Sequence, residues 1–335
     1  MQWNLLTNTH ISMQKLFFEL LQVAVGQLDC LERGPSPEEW HELFALSQQQ
    51  RLTGIGYHGV ERLFEFGLRG PQDLSIDWMA DAETTRMGHV QQSEHLQSLQ
   101  EKMGAKGIRT TPIGSIGAER HYPDILQELC QPEGIEVVTD SSKERTAKFA
   151  RLAGEQQPVG GRTFWQLKVW DDTPVRLYYR AAVSRFPLAN YQIARWLKRN
   201  QRLLFQEQNG TTVTSPTMSA VCLLLRLQQR FLYDRATMRQ LLDLYFTLRA
   251  TGGTFDTFKD GESIQKVLKT FGVNRFARGV MWILQEVLRM DRQYMPCEPL
   301  ESEGHFILKE LMSGRRNVWH LWKHYPFAIS TSWIG

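Results

Sequence analysis

No block of Lys and Arg dominates this chain. Its 39 basic and 36 acidic residues are spread over 335 positions and leave a formal net charge of +3. Such a surface gives no electrostatic footprint for a nucleic acid. Cysteine is scarce. Cys30, Cys130, Cys222 and Cys297 show no Cys-x-x-Cys pair and no metal-like spacing, so no disulfide framework is signalled. Reduced thiols in a cytosolic, cytoplasmic protein are the expectation. No signal peptide is expected, and no apolar run is long enough for a bilayer span. The segment LFFELLQVAVG (16–26) carries Glu19 and Gln22. Its Leu16, Leu20 and Val23, with Phe17, Leu21 and Ala24, recur at helical spacing and predict a core helix. Histidines grouped for a metal are lacking too. His89 and His95 are six apart on a polar stretch and are expected to be exposed. His320 and His324 have a usable spacing, but no acid or Cys completes a set.

What is present suits a large soluble core, since 42% of residues are hydrophobic and 22% charged. Residues 1–106 read as an N-terminal helical region. Ser36-Pro37-Glu38-Glu39 is a helix start with capping-box spacing. A long polar helix is predicted over 74–104. The pattern changes in 107–185. Ile108–Ile113 predicts a short strand ending at Gly114-Ser115, 116–129 a helix, Ile135–Thr139 a strand and Lys143–Ala153 a helix. Phe164–Trp170 and Val175–Arg180 alternate with period two around Asp171-Asp172-Thr173-Pro174, which signals a hairpin. From 186 to 335 the chain reads as helical again and ends in a basic, aromatic tail. The fold class is therefore α+β, a small mixed sheet between two helical regions.

The predicted strand GIEVVT carries one acid, Glu136. A metal-holding strand commonly bears acids at i and i+2, on one face. Here the flanking positions are Gly134 and Val138.

Several stretches, in this order and spacing, carry a family likeness. They are PSPEEWHELFALSQQQRLTGIGYHGVERL (35–63), GIRTTPIGSIG (107–117), EGIEVVTD (133–140), LKVWDDTPVRLYYR (167–180), FPLANYQIARWL (186–197), RFLYDRATMRQLLDLYFTLRA (230–250) and FGVNRFARGVMWILQEVL (271–288). The chain resembles a nucleotidyltransferase family of Bacteroidales, within the polymerase-beta-like superfamily, over about 16–325. The resemblance implies a metal-dependent nucleotidyl-transfer site built from three features. One is a Leu-Lys-Gly turn. The second is a Gly-Asp-Ile-Asp strand whose acids hold Mg²⁺. The third is an acid with a neighbouring His on the next hairpin. Phosphoryl transfer needs metal ions to neutralise developing charge, and Mg²⁺ needs oxygen ligands.

This sequence departs from each feature. The turn reads Pro112-Ile113-Gly114, without the lysine. The strand reads Glu133-Gly134-Ile135-Glu136. The hairpin acid falls on Arg176 and its histidine on Tyr178. A His-rich run reads Arg226-Leu-Gln-Gln-Arg230, whereas Arg239 and Asp243 match the pattern. Glu133 and Glu136 are expected to face opposite ways. Glu133, Glu136, Asp140, Asp171 and Asp172 are not expected to converge.

Alternation sets Lys168 on one face of its strand, and Arg176, Tyr178 and Arg180 on one face of the partner strand. If these faces line the site that the resemblance implies, Lys168, Arg176 and Arg180 surround Glu136. Gly114-Ser115 offers backbone N–H groups ahead of a helix. The expectation is a degenerate nucleotidyltransferase-like protein acting as a nucleotide- or anion-binding, or regulatory, module. Its phosphate-binding residues would be Gly114, Ser115, Lys168, Arg176, Tyr178 and Arg180. No metal ligands and no cofactor are expected. The alternatives are an active Mg²⁺-dependent enzyme with Glu136 as the catalytic acid, and a scaffold in envelope or polysaccharide assembly. The scaffold would hold a protein partner through the 315–335 tail, which otherwise docks on its own body.

Overall fold

The computed structural model describes residues 2–153, 159–160, 163–168, 173–184, 187–208, 210–313 and 317–326. Four helices open the chain. Helix α1 (Gln2–Ala24) buries Leu16, Phe17, Leu20 and Leu21. Helix α2 (Pro37–Gln49) starts on the capping box: the Glu39 N–H donates to Ser36 Oγ at 3.3 Å, and the Ser36 N–H donates to Glu39 Oε2 at 2.8 Å. Helix α3 (Thr53–Phe64) approaches α1 at Gly59, where an added Cβ would lie 2.8 Å from the Leu20 carbonyl oxygen. Helix α4 (Gln72–Gly104) is polar along most of its surface, yet it buries a stripe through Leu74, Trp78, Thr85, His89, Gln92, Leu99 and Met103. With Ala82, that stripe recurs every three to four residues from Leu74 to Gln92 and anchors the helix. It also corrects the expectation for the histidines. His89 is buried, and His95 is half-buried with Nδ1 3.0 Å from Thr173 Oγ1.

The sheet region follows. Strand β1 (Thr110–Pro112) leads through Ile113 into one turn of helix α5 (Gly114–Ala118), a 3₁₀ turn at Glu119–His121, and helix α6 (Asp124–Gln127). The single helix expected over 116–129 is broken. Pro123 forces Tyr122 into an extended conformation and has no N–H to give. Strand β2 (Ile135–Thr139), helix α7 (Lys143–Ala153) and strands β3 (Val159–Gly160), β4 (Phe164–Leu167) and β5 (Val175–Tyr178) complete the unit. The order is β1-β2-β5-β4-β3; β2 and β5 are parallel, and the other neighbours are antiparallel. Register sets Glu136 beside Arg176, Val138 beside Tyr178, and Gln166 beside Arg176. One sheet face, with Ile135, Val137, Val175 and Leu177, packs with Phe149 and Ala150 of α7 and with Leu99 and Met103 of α4. The opposite face carries Glu136.

The C-terminal region is helical with one interruption. Helices α8 (Pro187–Arg199) and α9 (Gln201–Leu204) precede a small hairpin of β6 (Gln206–Gln208) and β7 (Thr211–Val213). The Ser215 side chain caps helix α10 (Pro216–Tyr233), accepting from the Met218 N–H at 3.2 Å. Helix α11 (Met238–Arg249) is buried at every position from Met238 to Leu248. Helices α12 (Ile264–Thr270), α13 (Asn274–Leu288), α14 (Glu301–Met312) and α15 (Val318–His324) close the described chain. The fold is α+β, with a small mixed sheet flanked by helices from both ends of the sequence. Those ends share one core: Gln22 Nε2 donates to the Val287 carbonyl at 2.9 Å, and the Met238 N–H donates to Gln50 Oε1 at 2.9 Å.

The tail docks on α14 where it is described. Leu321 is buried, His324 stacks on Phe306 with ring centroids 3.7 Å apart, and the Tyr325 hydroxyl donates to Glu303. His320 and His324 turn to different acids, Glu310 and Glu303.

Candidate functional site: an arginine-locked carboxylate

Glu136 is the second residue of β2, the strand between β1 and β5, and is 6% exposed. A carboxylate this deep is tolerable only when its oxygens are paired. Arg176 Nη1 donates to Oε1 at 3.0 Å from the neighbouring strand, and the Tyr178 hydroxyl donates to the same oxygen at 3.0 Å. Arg226 of α10 closes onto Oε2 and lays its guanidinium over the Tyr178 ring, 4.9 Å from the centroid. Burial by itself would raise the Glu136 carboxyl. Arg226, Arg230 and Arg176 outweigh it and hold the group below its usual range. Burial raises the Tyr178 hydroxyl, so it stays a donor.

Gly114 makes this contact possible. Its φ is +68°, and an added Cβ would lie 2.8 Å from Glu136 Oε2 and 3.3 Å from Arg226 Nη2.

Glu133 is locked in the same manner one turn along α10. It meets Arg230 Nη1 at 3.1 Å, Gln240 Nε2 at 3.1 Å and Arg51 Nη1 at 3.6 Å. Glu133 and Glu136 thus both turn toward α10, which corrects the expectation of opposite faces. The cause is Gly134, whose φ of +92° breaks strand alternation just before β2. Behind this layer, Asp243 accepts from Ser115 Oγ at 2.6 Å, from the Tyr122 hydroxyl at 2.8 Å and from Arg239 Nε at 2.9 Å. Arg239 is fully buried and also donates to Glu119 Oε1 at 2.7 Å; His89 Nε2 lies 3.3 Å from the other Glu119 oxygen. Cys130 is buried beside Arg239, and burial pushes its thiol well above the usual range against the pull of that guanidinium. All four cysteines are free.

The expected site residues therefore separate. Gly114, Arg176 and Tyr178 gather at Glu136. The Ser115 hydroxyl is committed to Asp243, and α5 is a single turn. Lys168 and Arg180 are exposed and lie beyond opposite ends of the β4–β5 ladder, which runs from Leu167↔Val175 to Phe164↔Tyr178. Arg180 does not reach Glu136, because about 3.3 Å of rise per residue carries it roughly 13 Å past Arg176, and Lys168 lies two residues past Gln166 at the other end of the ladder. Asp140 pairs with Arg109 at 2.8 Å. Asp171 and Asp172 lie outside the described residues. Arg226, Arg230 and Gln240 complete the site; the only signal for them was the pair of arginines four apart where the likeness places histidines.

The described residues do not fit a metal. Among the described residues no group of three His, Cys, Asp or Glu side chains is placed to hold one. An acid at position 134 would meet Pro174 Cγ and its carbonyl oxygen at 2.7 Å from Cβ, on a backbone that disfavours any side chain. The space lined by Gly114, Ser115, Arg226, Arg230 and Gln240 is ≈ 10 Å³, too little for a nucleotide. The larger cleft, ≈ 650 Å³, lies elsewhere, between Arg120-His121 and the β6–β7 hairpin.

No family model matches the chain, and no curated protein matches it in sequence. One solved structure, an antigenic nucleotidyltransferase-like protein from Paracoccidioides brasiliensis, is similar over 64% of this chain and 96% of its own. The identity is 11% and the TM-score 0.39. No helix among the described residues is long and apolar enough to cross a membrane.

Proposed function

We propose that this chain is a non-catalytic, nucleotidyltransferase-like module of the cytoplasm that binds a phosphate-bearing anion without a metal. The observation that carries the reading is the guanidinium of Arg176 seated on Glu136. In a metal-dependent site, acids on neighbouring strands face a dication that relieves their repulsion. Here one strand keeps its acid and the other presents a fixed cation, joined by Arg226 from α10. That arrangement satisfies Glu136 and repels Mg²⁺ together.

Charge supports an anion as ligand. Four guanidinium groups, Arg51, Arg176, Arg226 and Arg230, stand against two carboxylates, Glu133 and Glu136, a surplus of two positive charges. Arg51, Arg176 and Arg230 keep 48%, 35% and 28% of their side chains exposed. A phosphate group on this rim would take charge-assisted hydrogen bonds without entering the closed space beneath.

The test is a thermal-shift screen of nucleotides and inorganic phosphate, with and without Mg²⁺ or Mn²⁺. Stabilisation that is independent of metal supports the module. Stabilisation that requires metal favours an enzyme working through Glu136. No shift with any of these leaves the scaffold reading, for which the exposed, edge-to-face Trp319–Trp322 pair is the candidate contact.

A further inference from the structure

We propose that the chain forms a two-fold homodimer through the outer face of α4, with the two helices antiparallel and Glu83 at the axis. Four of the eleven large hydrophobic side chains exposed among the described residues lie on this helix. Ile76 is 53% exposed, Met79 49%, Met87 59% and Val90 49%. At 3.6 residues per turn, all four point within about 40° of the Glu83 direction. Leu74, Trp78, Thr85 and Gln92 occupy the far side and are buried. The helix therefore has two stripes, and among the described residues only the inner one is covered.

Position along the helix selects the occupant. Ile76 and Val90 stand seven residues either side of Glu83, and Met79 and Met87 stand four either side. A two-fold axis through Glu83 sets Ile76 on Val90 of the second copy, and Met79 on Met87. An isologous interface must be self-complementary in this way, and no feature of a foreign partner requires it. Methionine suits the seam, because its flexible thioether fills the space between helices that are not tightly specified.

The charge at the centre agrees. Arg86 binds Glu83 within the chain, with Nη2 to Oε1 at 2.8 Å and Nε to Oε2 at 2.9 Å. Antiparallel pairing sets Arg86 of one copy over Ala80 of the other, next to Glu83. Each carboxylate then lies between its own guanidinium and the second copy's, so two acids and two cations meet at the axis. The stripe spans only about 21 Å at 1.5 Å per residue, so the dimer is expected to be reversible and concentration-dependent.

Sedimentation equilibrium and crosslinking of the full chain test this. The native protein should show a monomer–dimer equilibrium, and Met87→Glu should shift it to monomer with an unchanged circular dichroism spectrum. Under mild oxidation Glu83→Cys should crosslink to itself, because the axis holds the two thiols within disulfide reach. Ile76→Cys should not, since its symmetry mate is roughly 21 Å away along the pair. A mixture of Ile76→Cys and Val90→Cys chains should crosslink to each other. A native protein that stays monomeric, or an Ile76→Cys chain that self-crosslinks as readily as Glu83→Cys, overturns the proposal.

Discussion

At the scale of single residues, the site turns on what stands at positions 134 and 176. Placing an acid at each has opposite expected results. Gly134→Asp meets Pro174 on a left-handed backbone, so it should destabilise the fold without creating a metal site. Arg176→Glu places a second carboxylate beside Glu136 on the matching strand. It should cost about 3 kcal/mol in chelator and recover part of that when Mg²⁺ or Mn²⁺ is added. Calorimetry that finds tight Mg²⁺ binding by the unmodified protein at this cleft would sink the arginine-lock idea. Two side chains also set separate acid windows. Burial lowers the His121 imidazole to about 4, against about 6.5 when unfolded. Its share of stability is present above about 6.5 and drains as pH falls toward 4. Glu136 is held below its usual range, since its three arginines outweigh burial. Its share is complete above about 4.3 and is lost below that, as pH falls through its depressed folded value. Urea unfolding against pH should therefore lose its upper slope in His121→Gln and its lower slope in Glu136→Gln. Unchanged slopes in both would refute the assignment. Arg176 was legible beside Glu136 through the family resemblance, which sets the hairpin position against the strand acid. Arg226 and Arg230 were not, because they reach their acids across 90 and 97 residues of chain.

At the scale of elements, legibility followed turn chemistry. The β4–β5 hairpin was readable from alternation around Asp171-Asp172-Thr173-Pro174. The β6–β7 hairpin was missed although Asn209-Gly210 is a strong hairpin signal, because the flanking Gln206–Gln208 and Thr211–Val213 are short and carry little apolar alternation. The buried stripe of α4 was hidden for a related reason: it includes Thr85, His89 and Gln92, polar residues that a hydrophobic pattern does not count. Helix α11 was readable as a helix, and the four-residue spacing of Arg239 and Asp243 is a neighbour spacing on it that suits their ion pair. Their burial and their bonds to Ser115, Tyr122 and Glu119 came only from packing. That layer joins α5, the 3₁₀ turn and α11 and contains a fully buried guanidinium. Asp243→Asn leaves Arg239 short of a counter-charge and should cost about 3–5 kcal/mol, as breaking buried pairs does. Phosphate or nucleotide affinity at the Arg176 rim should be unchanged. Lost affinity with intact stability would move Asp243 from scaffold to site.

At the scale of the whole molecule, the three sequence segments do not correspond to three cores. The main apolar cluster runs from Met13 in α1 to Leu321 in α15, and it takes in Ile113 and Val138 from one side of the sheet. The opposite side belongs to a smaller cluster of Ile135, Val137, Leu167, Val175 and Leu177 beneath Phe149 and Ala150. The sheet is thus a boundary: its Glu136 face is built into the large core by α10 and α11, and its other face depends on α7 and the last turns of α4. Opening free energy follows the apolar area that each unit can lose without breaking the rest. Native-state hydrogen exchange should then show two levels. Amides of α1, α10, α11 and α13 should exchange together through global unfolding, despite their separation in sequence. Amides of α7 and β4 should exchange at a lower free energy, through release of the small cluster alone. Leu167→Ala should lower protection in α7 and β4 and leave α11 nearly untouched. Equal loss in both sets would mean the two clusters open as one, and the sheet would then be interior to the core and no boundary within it.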